Sequence, residues 1–539
     1  MSAKSFFFST KAILIVLVLF SILSLWPFFK SGFFTTHDGE WMVIRFSAFH
    51  QTLRAGHFPV RFVDRLNNNY GYPVLDFLYP LPFYLAEVPK TIGFDYVNSI
   101  KIIFIFSTIA STVFMFMALR EKYSKEASVV GAIIYLFVPY RFVDLYVRGS
   151  IGENLAFSFL PLVLLSILKI HKKKKIYFPI LSLSTAALIL SHNVIAVIFL
   201  PIFFIMSLVY LKGMDLYKTI AFFSIGVLIS FFFAIPALFD LRYVRLSKIV
   251  IANPAEHLVS LKDALFSKWG YGPNPNDPNG FSAQVGIIPI FLLIASIIFW
   301  IKSSKKGTLE IFSVILFLLT VFLITKTSYF FWKITPYVYM IQFPWRILSV
   351  IVFVSAILAA YTVDNLNKKL LVLLTIVFFS IVTTISYSKP EQFVNRVEGF
   401  YTTNEDTTTV RNEYMPLWVN KSPLERAHNK FEINDKLQLL SSKIKPANYS
   451  ARLVAQSDTT LTVNTIYFPG FVAKIDEKNI PIHYENQFGL IQVPLPKGTH
   501  EVIIKYNETS IHLITDLISA SALLFTIILL IHLCLKKDS

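Results

Sequence analysis

The fold is set by the apolar stretch AILIVLVLFSILSLWPFF, residues 12–29, and by the polar stretch HDGE, residues 37–40, that follows it. An apolar run of about 18 residues is long enough to cross about 30 Å of hydrocarbon as a helix. The polar stretch comes directly after this run, so a membrane protein would hold it at the membrane surface. Two carboxylates at such a boundary, Asp38 and Glu40, make it the first candidate site.

Similar apolar runs recur along almost the whole chain. Of the 539 residues, 55% are hydrophobic and 15% are charged, and the mean hydropathy is +0.59. Soluble globular domains do not have this composition. The sequence therefore predicts a polytopic α-helical membrane protein with about twelve spanning helices. The predicted spans lie near residues 12–29, 98–119, 127–147, 154–170, 176–192, 194–211, 219–239, 284–301, 308–325, 345–363, 369–387 and 511–535.

The lysines and arginines predict how these helices are oriented. Short loops rich in Lys and Arg stay on the cytoplasmic side of a membrane. With twelve spans, the basic loops all fall on one side, which predicts a cytoplasmic location for both termini of this multi-pass protein in the cell membrane. These loops contain Lys4, Lys11, Arg120, Lys122, Lys125, Lys172 to Lys175, Lys212, Lys218, Lys302, Lys305, Lys306, Lys368, Lys369, Lys536 and Lys537.

The strongly basic balance follows from this topology. The formal net charge is +17, with a pI near 9.5. Cytoplasmic basic loops and their attraction to anionic lipid account for such a charge, so the lipid bilayer is the expected partner and nucleic acid is not. The single cysteine, Cys534, excludes disulfides within the chain.

The organisation predicted from the spans has three parts. A transmembrane domain occupies residues 1–387, an extracytoplasmic and mostly β domain residues 388–510, and a final helix with a cytoplasmic tail residues 511–539. The outer loops of the first part are 31–97, 148–153, 240–283 and 326–344. Three prolines within 75–93 favour short interfacial helices there over a full span.

The predicted β domain contains runs typical of strands. LTVNTIY, residues 461–467, and EVIIKY, residues 501–506, are rich in β-branched residues, and Gly-Pro turns separate them. They predict a small antiparallel β-sandwich over about 440–510, preceded by a less regular segment that includes an exposed polar loop at 402–409. The domain is either a lid or structural cap, or a surface that binds an acceptor.

Carboxylates at the mouth of a helix bundle suit two kinds of chemistry. Asp38 can accept a proton from an attacking hydroxyl, and Asp38 with Glu40 can hold a divalent cation such as Mg²⁺ or Mn²⁺. The alternative is structural: Asp38 caps a helix that begins at Gly39, with Glu40 in its first turn.

Other polar groups fall on the same predicted face. Arg148 and Glu153 flank a short outer turn, His192 lies at another, and Gln342 and Arg346 begin a span. A guanidinium at such a position can bind a phosphate in a fork, or can be an interface anchor beside Trp345. His192 has the alternative of a simple interfacial turn. Further candidate site residues on this face are His37, Arg45 and His50.

In order along the chain, these motifs resemble the polytopic GT-C glycosyltransferase superfamily. Within it they are similar to bacterial membrane proteins described as 6-pyruvoyl-tetrahydropterin synthase-related, a description that does not imply pterin chemistry. The motifs that carry the resemblance are HD at 37–38 with Arg45, LRAGHFP at 53–59, YGYP at 70–73, FLYPL at 77–81, Arg148 with Glu153, SH at 191–192, QFPWR at 342–346, YFPG at 467–470 and KGTH at 497–500.

The resemblance implies a GT-C-like fold and a membrane glycosyltransferase. Such an enzyme moves a sugar from a polyprenyl-phosphate or pyrophosphate donor to a glycan or lipid acceptor of the cell envelope, on the outer membrane face. By the same resemblance, Asp38 and Glu40 are catalytic, and Arg148 and Arg346 bind the donor phosphate. A divalent cation would be held by Asp38, Glu40 and Glu153, and no organic cofactor is expected.

The sequence departs from the family pattern at Glu40, which replaces the second aspartate of the commonest acidic motif. Nothing resembles a sequon-reading motif, so protein N-glycosylation is not expected. Two other functions stay open. One is a transporter or flippase for lipid-linked saccharides, although no internal repeat supports it. The other is a non-enzymatic scaffold of the cell envelope.

Overall fold

The computed structural model describes residues 9–303, 307–334, 341–366 and 369–536. Lys4, Lys305, Lys306, Lys368 and Lys537, which belong to the predicted basic loops, lie outside the described residues. The described chain forms a helical bundle and a C-terminal group of β-strands.

The α-helices follow one another from the first span to the last. They are α1 Thr10–Ser24, α2 Gly39–Arg54, α3 Val74–Phe77, α4 Leu81–Thr91, α5 Tyr96–Leu119, α6 Lys125–Leu136, α7 Pro139–Phe142, α8 Ile151–His171, α9 Tyr177–Ser191, α10 Asn193–Tyr210, α11 Gly213–Ile229, α12 Phe231–Asp240, α13 Leu261–Leu265, α14 Ile287–Lys302, α15 Thr308–Ile324, α16 Tyr329–Ile334, α17 Leu348–Asp364, α18 Lys369–Thr384, α19 Glu398–Thr403 and α20 Ser510–Leu535. A π-helical stretch, Val143–Arg148, continues α7. Short 3-10 turns are Trp26–Phe29, Leu241–Tyr243, Arg245–Ser247, Pro254–His257, Lys326–Ser328, Pro344–Ile347 and Ile385–Tyr387.

Each of the twelve predicted spans coincides with a helix or with a pair of bent helices. Within the described residues, six helices are long and apolar enough to cross a membrane. Two further spans are pairs, α6 with α7 and α11 with α12, bent by 48° and 65°. Four more are apolar but shorter: α1, α9, α14 and α15. The helical membrane architecture is confirmed, and the count of twelve crossings stays a prediction.

Polar contacts connect the basic loops to one another at one end of the helix bundle. Lys122 pairs with Glu310 at 2.8 Å, and Lys169 pairs with Glu121 at 2.7 Å. The Ser124 amide donates to Asp364 Oδ1 at 3.1 Å, which adds the end of α17. These contacts join loops that the lysine pattern assigned to one side. The residues of the predicted site lie at the opposite end, where α8 begins.

The segment 75–93 does not form a span. It contains α3 and α4, and α4 has only 11 residues. At 1.5 Å per residue, α4 is about 16 Å long, roughly half of what a membrane requires. The expectation of short helices in this outer loop is confirmed.

The C-terminal strands are antiparallel throughout. They are β3 Leu437–Lys445, β4 Asn448–Ala455, β5 Thr459–Ile466, β6 Phe471–Ile475, β7 Lys478–Ile480, β8 Leu490–Leu495 and β9 Gly498–Tyr506. One sheet has the order β3-β4-β9-β6-β7, and β5 pairs with β8. Leu453 and Val502 of the first sheet share a hydrophobic cluster with Leu461 and Val493 of the second. The predicted sheet domain before the last helix is therefore present, and its sandwich arrangement stays a prediction.

The segment between the bundle and the strands is irregular, as predicted. It contains one two-residue strand, β2 Phe393–Val394, which pairs with β1 Phe33–Phe34 of the loop 31–97. Lys430 lies at the end of this segment and donates to Asp64 at 2.8 Å. These contacts fasten residues 388–436 to the loop 31–97, beside the candidate site.

Candidate active site

A cavity of about 480 Å³ lies at the end of the bundle where the predicted site residues meet. Residues from seven separate stretches of the sequence line it. Six of them were predicted as site residues from the sequence: Asp38, Arg45, Arg148, His192, Gln342 and Arg346. The structure thus brings together most of the polar groups that the sequence placed on one face.

Asp38 is held at the cavity by its backbone. The His37 amide donates to Val147 O, and the Asp38 amide donates to Arg148 O, both at 2.9 Å. The two stretches can approach this closely because of Gly149, which has φ +62° and whose Cβ, if present, would collide with Thr36 Oγ1. The loop before α2 is therefore fixed against the end of the π-helical stretch.

The Asp38 carboxylate does not cap the helix that follows it. Helix α2 begins at Gly39, but the Gly39 amide donates to Thr36 Oγ1 at 2.8 Å, and Asp38 makes no capping bond. Among the described residues the Asp38 carboxylate has neither a hydrogen bond nor an ion pair, although its residue is half-buried. Asp38 thus occupies the N-cap position and Glu40 lies in the first turn, as the structural alternative predicted, but the Asp38 carboxylate makes no capping bond and is left free to act on a ligand.

Four of the predicted residues do not line the cavity: Glu40, His37, His50 and Glu153. Glu40 accepts from Arg396 Nε at 2.7 Å and from the Tyr401 hydroxyl at 3.2 Å. His37 Nε2 lies 2.7 Å from Tyr271 O, and burial lowers the pKa of its imidazole. His50 pairs with Glu87 at 2.9 Å. Because residues two apart at a helix start do not face each other, Glu40 points away from Asp38.

Arg148 lines the cavity but already has carboxylate partners behind its wall. Its Nη1 donates to Asp144 Oδ1 at 3.1 Å and to Glu153 Oε2. The Tyr140 hydroxyl donates to Glu153 Oε1 at 2.7 Å. Arg148 is 3% exposed, and Asp144 and Glu153 are fully buried. Glu153 is thus a buried counter-ion of Arg148 and does not reach the cavity.

Arg346 has no such partner. Its Nη1 donates to Ile341 O at 3.1 Å and to Gln342 Oε1 at 2.9 Å, both of them neutral acceptors. Its Nε is buried without a hydrogen-bond partner, and within the described residues Arg346 forms no ion pair. Trp345 is only 4% exposed, so Arg346 and Trp345 together do not form an anchor at the membrane surface. The cavity therefore contains a guanidinium whose charge is uncompensated.

His192 and Arg45 complete the polar lining. The Ile195 amide donates to His192 Nδ1 at 3.2 Å, which leaves Nε2 for another partner, and the His192 ring lies 4.9 Å from that of Tyr79. Both hypotheses for His192, a turn and a site residue, are compatible with this geometry. Arg45 Nε donates to Thr408 Oγ1 at 2.8 Å.

The position of Thr408 differs from the one predicted from the sequence. The stretch 402–409 was predicted to be an exposed loop, but Thr408 is fully buried on Arg45 and lines the cavity. Glu413 and Tyr414, a few residues further along the chain, also line the cavity. Sequence reasoning missed these residues because they reach the cavity only through the folding of residues 388–436 onto the first outer loop, and no local motif marks that contact.

The predicted metal ligands do not converge. Asp38 faces the cavity, Glu40 is held by Arg396, and Glu153 is held by Arg148. In the described part of the chain, the group whose ligand atoms lie close enough to hold a metal ion is Asp76, Asp240 and His512. The residues of the cavity therefore do not fit a divalent cation, and the arginines supply its positive charge.

Fold and site together define a polytopic membrane protein with a charged cavity at one end of its bundle. A family model described as "6-pyruvoyl-tetrahydropterin synthase related domain; membrane protein" matches residues 75–390. This match covers more than half of the chain, which therefore belongs to that family. The family predicted from the sequence is confirmed.

Three comparisons with individual proteins add to the family match. An "Uncharacterized protein" of Lactococcus lactis subsp. cremoris (strain MG1363) is 24% identical over 243 residues, which cover 42% of this chain and 39% of that protein. The arabinofuranosyltransferase AftD from Mycobacteria has a TM-score of 0.49 and 12% identity over 74% of this chain and 28% of its own. The oligosaccharyltransferase of Archaeoglobus fulgidus has a TM-score of 0.43 and 15% identity over 74% of this chain and 57% of its own. The chain spans less than two thirds of the length of each of these proteins.

Proposed function

We propose that this chain is a membrane glycosyltransferase that uses a polyprenyl-phosphate or pyrophosphate sugar as donor. The sugar goes to an acceptor of the cell envelope, such as a polysaccharide, a glycolipid or a cell-wall polymer, on the outer membrane face. The observation that carries the proposal is the pairing, in one cavity, of a free carboxylate on Asp38 with an uncompensated guanidinium on Arg346.

The lining of the cavity suits a donor that is part lipid and part phosphate. Part of the lining is apolar and comes from α12 and the turns after it: Ala237, Leu238, Leu241, Leu246, Ile249 and Val250. Another part is basic or polar: Arg346, Arg148 and His192. A prenyl chain would lie favourably along the apolar part, and a phosphate would accept charge-assisted hydrogen bonds from the basic part.

The chemistry assigned to these residues is a transfer at the anomeric carbon. The acceptor hydroxyl gives its proton to Asp38 as its oxygen bonds to the sugar, and the bond from the sugar to the phosphate oxygen breaks. The lipid phosphate leaves with the bonding electrons, and Arg346 stabilises its charge. Arg148 adds positive charge at the cavity wall, where its Nη1 is held by Asp144 and Glu153. No step uses a metal ion.

The test is transfer by the purified full chain in lipid nanodiscs. The donors are a panel of polyprenyl-phosphate sugars labelled in the sugar, and the acceptor is an envelope fraction or water. Asp38→Asn removes the proton acceptor at nearly constant size. Transfer by the wild type and its loss in Asp38→Asn are expected, with normal expression and unchanged lipid-phosphate binding.

The same experiment separates the two other functions. A flippase would move the labelled lipid between leaflets while the label stays on the lipid, in the wild type and in Asp38→Asn alike. A scaffold would neither bind the donor nor change it. Either result would contradict the proposed transferase.

A further inference from the structure

A second group of charged side chains lies beside the cavity and takes no part in the proposed transfer. Asp76 comes from α3, Asp240 ends α12, and His512 lies in the first turn of α20. Their exposed fractions are 1%, 1% and 0%. One ligand atom of each lies within 4.8 Å of the others. Three distant parts of the chain thus meet at one buried point.

The charges around this point do not balance. Arg61 pairs with Asp76 at 3.5 Å, with Glu508 at 2.8 Å and with Asp516 at 3.0 Å. Four carboxylates, on Asp76, Asp240, Glu508 and Asp516, face one guanidinium and one imidazole. Two of these carboxylates, on Asp76 and Asp240, are buried, and buried carboxylates that are only partly compensated are unfavourable without a further cation.

Asp76 has a carboxylate oxygen that faces this group without a partner. Its Oδ2 is buried and has no hydrogen-bond partner among the described residues. An orphaned oxygen in a group of facing carboxylates is the expected position of a cation.

His512 is oriented as a metal ligand usually is. Its Nε2 lies 2.8 Å from Asp240 Oδ2, and its Nδ1 lies 3.0 Å from Glu508 Oε2. Histidines that bind a metal through one ring nitrogen almost always donate the other N–H to a carboxylate or carbonyl, which fixes the ring. Glu508 Oε2 is close enough to take that place, although its 3.0 Å contact with Nδ1 is an ion pair without hydrogen-bond geometry.

We propose that Asp76, Asp240 and His512 bind one divalent transition metal, Zn²⁺ or Mn²⁺, with Glu508 orienting the histidine. The mixed set of imidazole and carboxylate donors favours these metals over Ca²⁺ or Mg²⁺, whose protein ligands are oxygens, and over Cu⁺, which prefers sulfur. The two positive charges of such an ion offset the buried carboxylates of Asp76 and Asp240.

The metal would act as a clamp on the cavity wall. Asp76 precedes Phe77, and Asp240 precedes Leu241, and both of these neighbours line the cavity. His512 ties the last helix to them, directly after the strands end at Tyr506. The proposal concerns stability and shape, and it does not depend on the transfer reaction.

Metal content tests the proposal directly. The full chain is purified in detergent on a tag without histidine, dialysed against buffer with 10 µM ZnCl₂ or MnCl₂ as an order-of-magnitude excess over a micromolar site, and analysed by mass spectrometry for bound metal. Asp240→Asn and His512→Gln remove ligands. Asp476→Asn is the matched control, because Asp476 pairs with His500 at 2.6 Å on the surface of the sheet domain.

The expected result is about one metal per chain in the wild type and in Asp476→Asn, and an at least tenfold lower content in Asp240→Asn and His512→Gln. Removal of the metal by a chelator should lower the melting temperature of the wild type, and added Zn²⁺ or Mn²⁺ should restore it.

Two results would overturn the proposal. One is a wild type that holds no metal and whose melting temperature does not respond to a chelator or to added metal, a result that needs no variant to fold. The other is an Asp76→Asn variant that is more stable than the wild type, because removing a surplus charge stabilises a group that holds no cation.

Discussion

Two sets of charges meet at the cavity wall, and they differ in whether the protein satisfies them. Arg148 lines the wall and is held from behind by Asp144, Glu153 and the Tyr140 hydroxyl, all buried. In front of it, Asp38 has no partner, and Arg346 has only neutral ones among the described residues. We call the first set the closed network and the second the open pair.

The difference teaches which charges belong to the architecture and which to a ligand. A buried ion pair contributes little net stability, but removing one member leaves the other uncompensated. A charge that the protein leaves without a partner costs stability and is retained where a ligand supplies the partner. The closed network should therefore control stability, and the open pair should control activity.

The largest effect is expected at the open carboxylate. Asp38→Asn should lower the rate of sugar transfer by about 10² to 10⁴-fold, the usual contribution of a general base. The Asp38 side chain makes no hydrogen bond among the described residues, so the substitution removes none. The melting temperature should therefore stay close to that of the wild type. Transfer in nanodiscs and a thermal scan in detergent check both parts. A large loss of stability without loss of transfer would show that Asp38 serves the architecture of the protein and not its activity.

The closed network should show the opposite behaviour. Arg148→Met leaves Asp144 and Glu153 buried without their cation, which should cost about 3–5 kcal/mol of stability. The double variant Arg148→Met with Glu153→Gln removes one of the stranded charges and should recover a large part of that loss. Thermal unfolding of the two variants in detergent measures it. Equal melting temperatures for Arg148→Met and the wild type would show that Arg148 does not stabilise the fold through its pairs with Asp144 and Glu153.

The open guanidinium should affect transfer more than stability. Arg346→Gln should lower the rate by about 10² to 10³-fold, because it removes positive charge where the leaving phosphate gains negative charge. Arg346→Lys keeps the charge but loses the forked geometry, so it should recover part of the rate. Donor titration of both variants separates binding from chemistry. No difference between the Gln and Lys variants would remove Arg346 from the reaction.

The sequence predicted the helical architecture because each apolar run is a local signal. All twelve predicted spans fall on helices or bent pairs, and the basic loops meet at one end through contacts such as Lys122 with Glu310. Hydropathy and basic loops need no knowledge of tertiary contacts. The bends within α6–α7 and α11–α12 were not predicted, although Pro139, which opens α7, marks the first of them in the sequence.

The candidate site was predicted in part for the same reason. Asp38, Arg148, His192 and Arg346 each lie at the end of an apolar run, so a common face was visible from the sequence. The roles of Glu40 and Glu153 were not, because they depend on long-range partners. Arg396 is 356 positions from Glu40, and no local pattern announces that contact. Thr408 was missed for the same reason.

The smallest effect is expected at Glu40, and it sharpens the comparison most. Glu40 belongs to a partly exposed pair with Arg396, whose side chain is 41% exposed. Pairs of this kind contribute about 0–1 kcal/mol to stability. Glu40→Gln should therefore change both the folding equilibrium constant and the rate of sugar transfer by no more than about fivefold. Assayed beside Asp38→Asn, it separates the two carboxylates of HDGE. If Glu40→Gln abolished transfer as Asp38→Asn does, the two acids would act together on the ligand, and Glu40 would have to leave Arg396 and turn into the cavity when the donor binds.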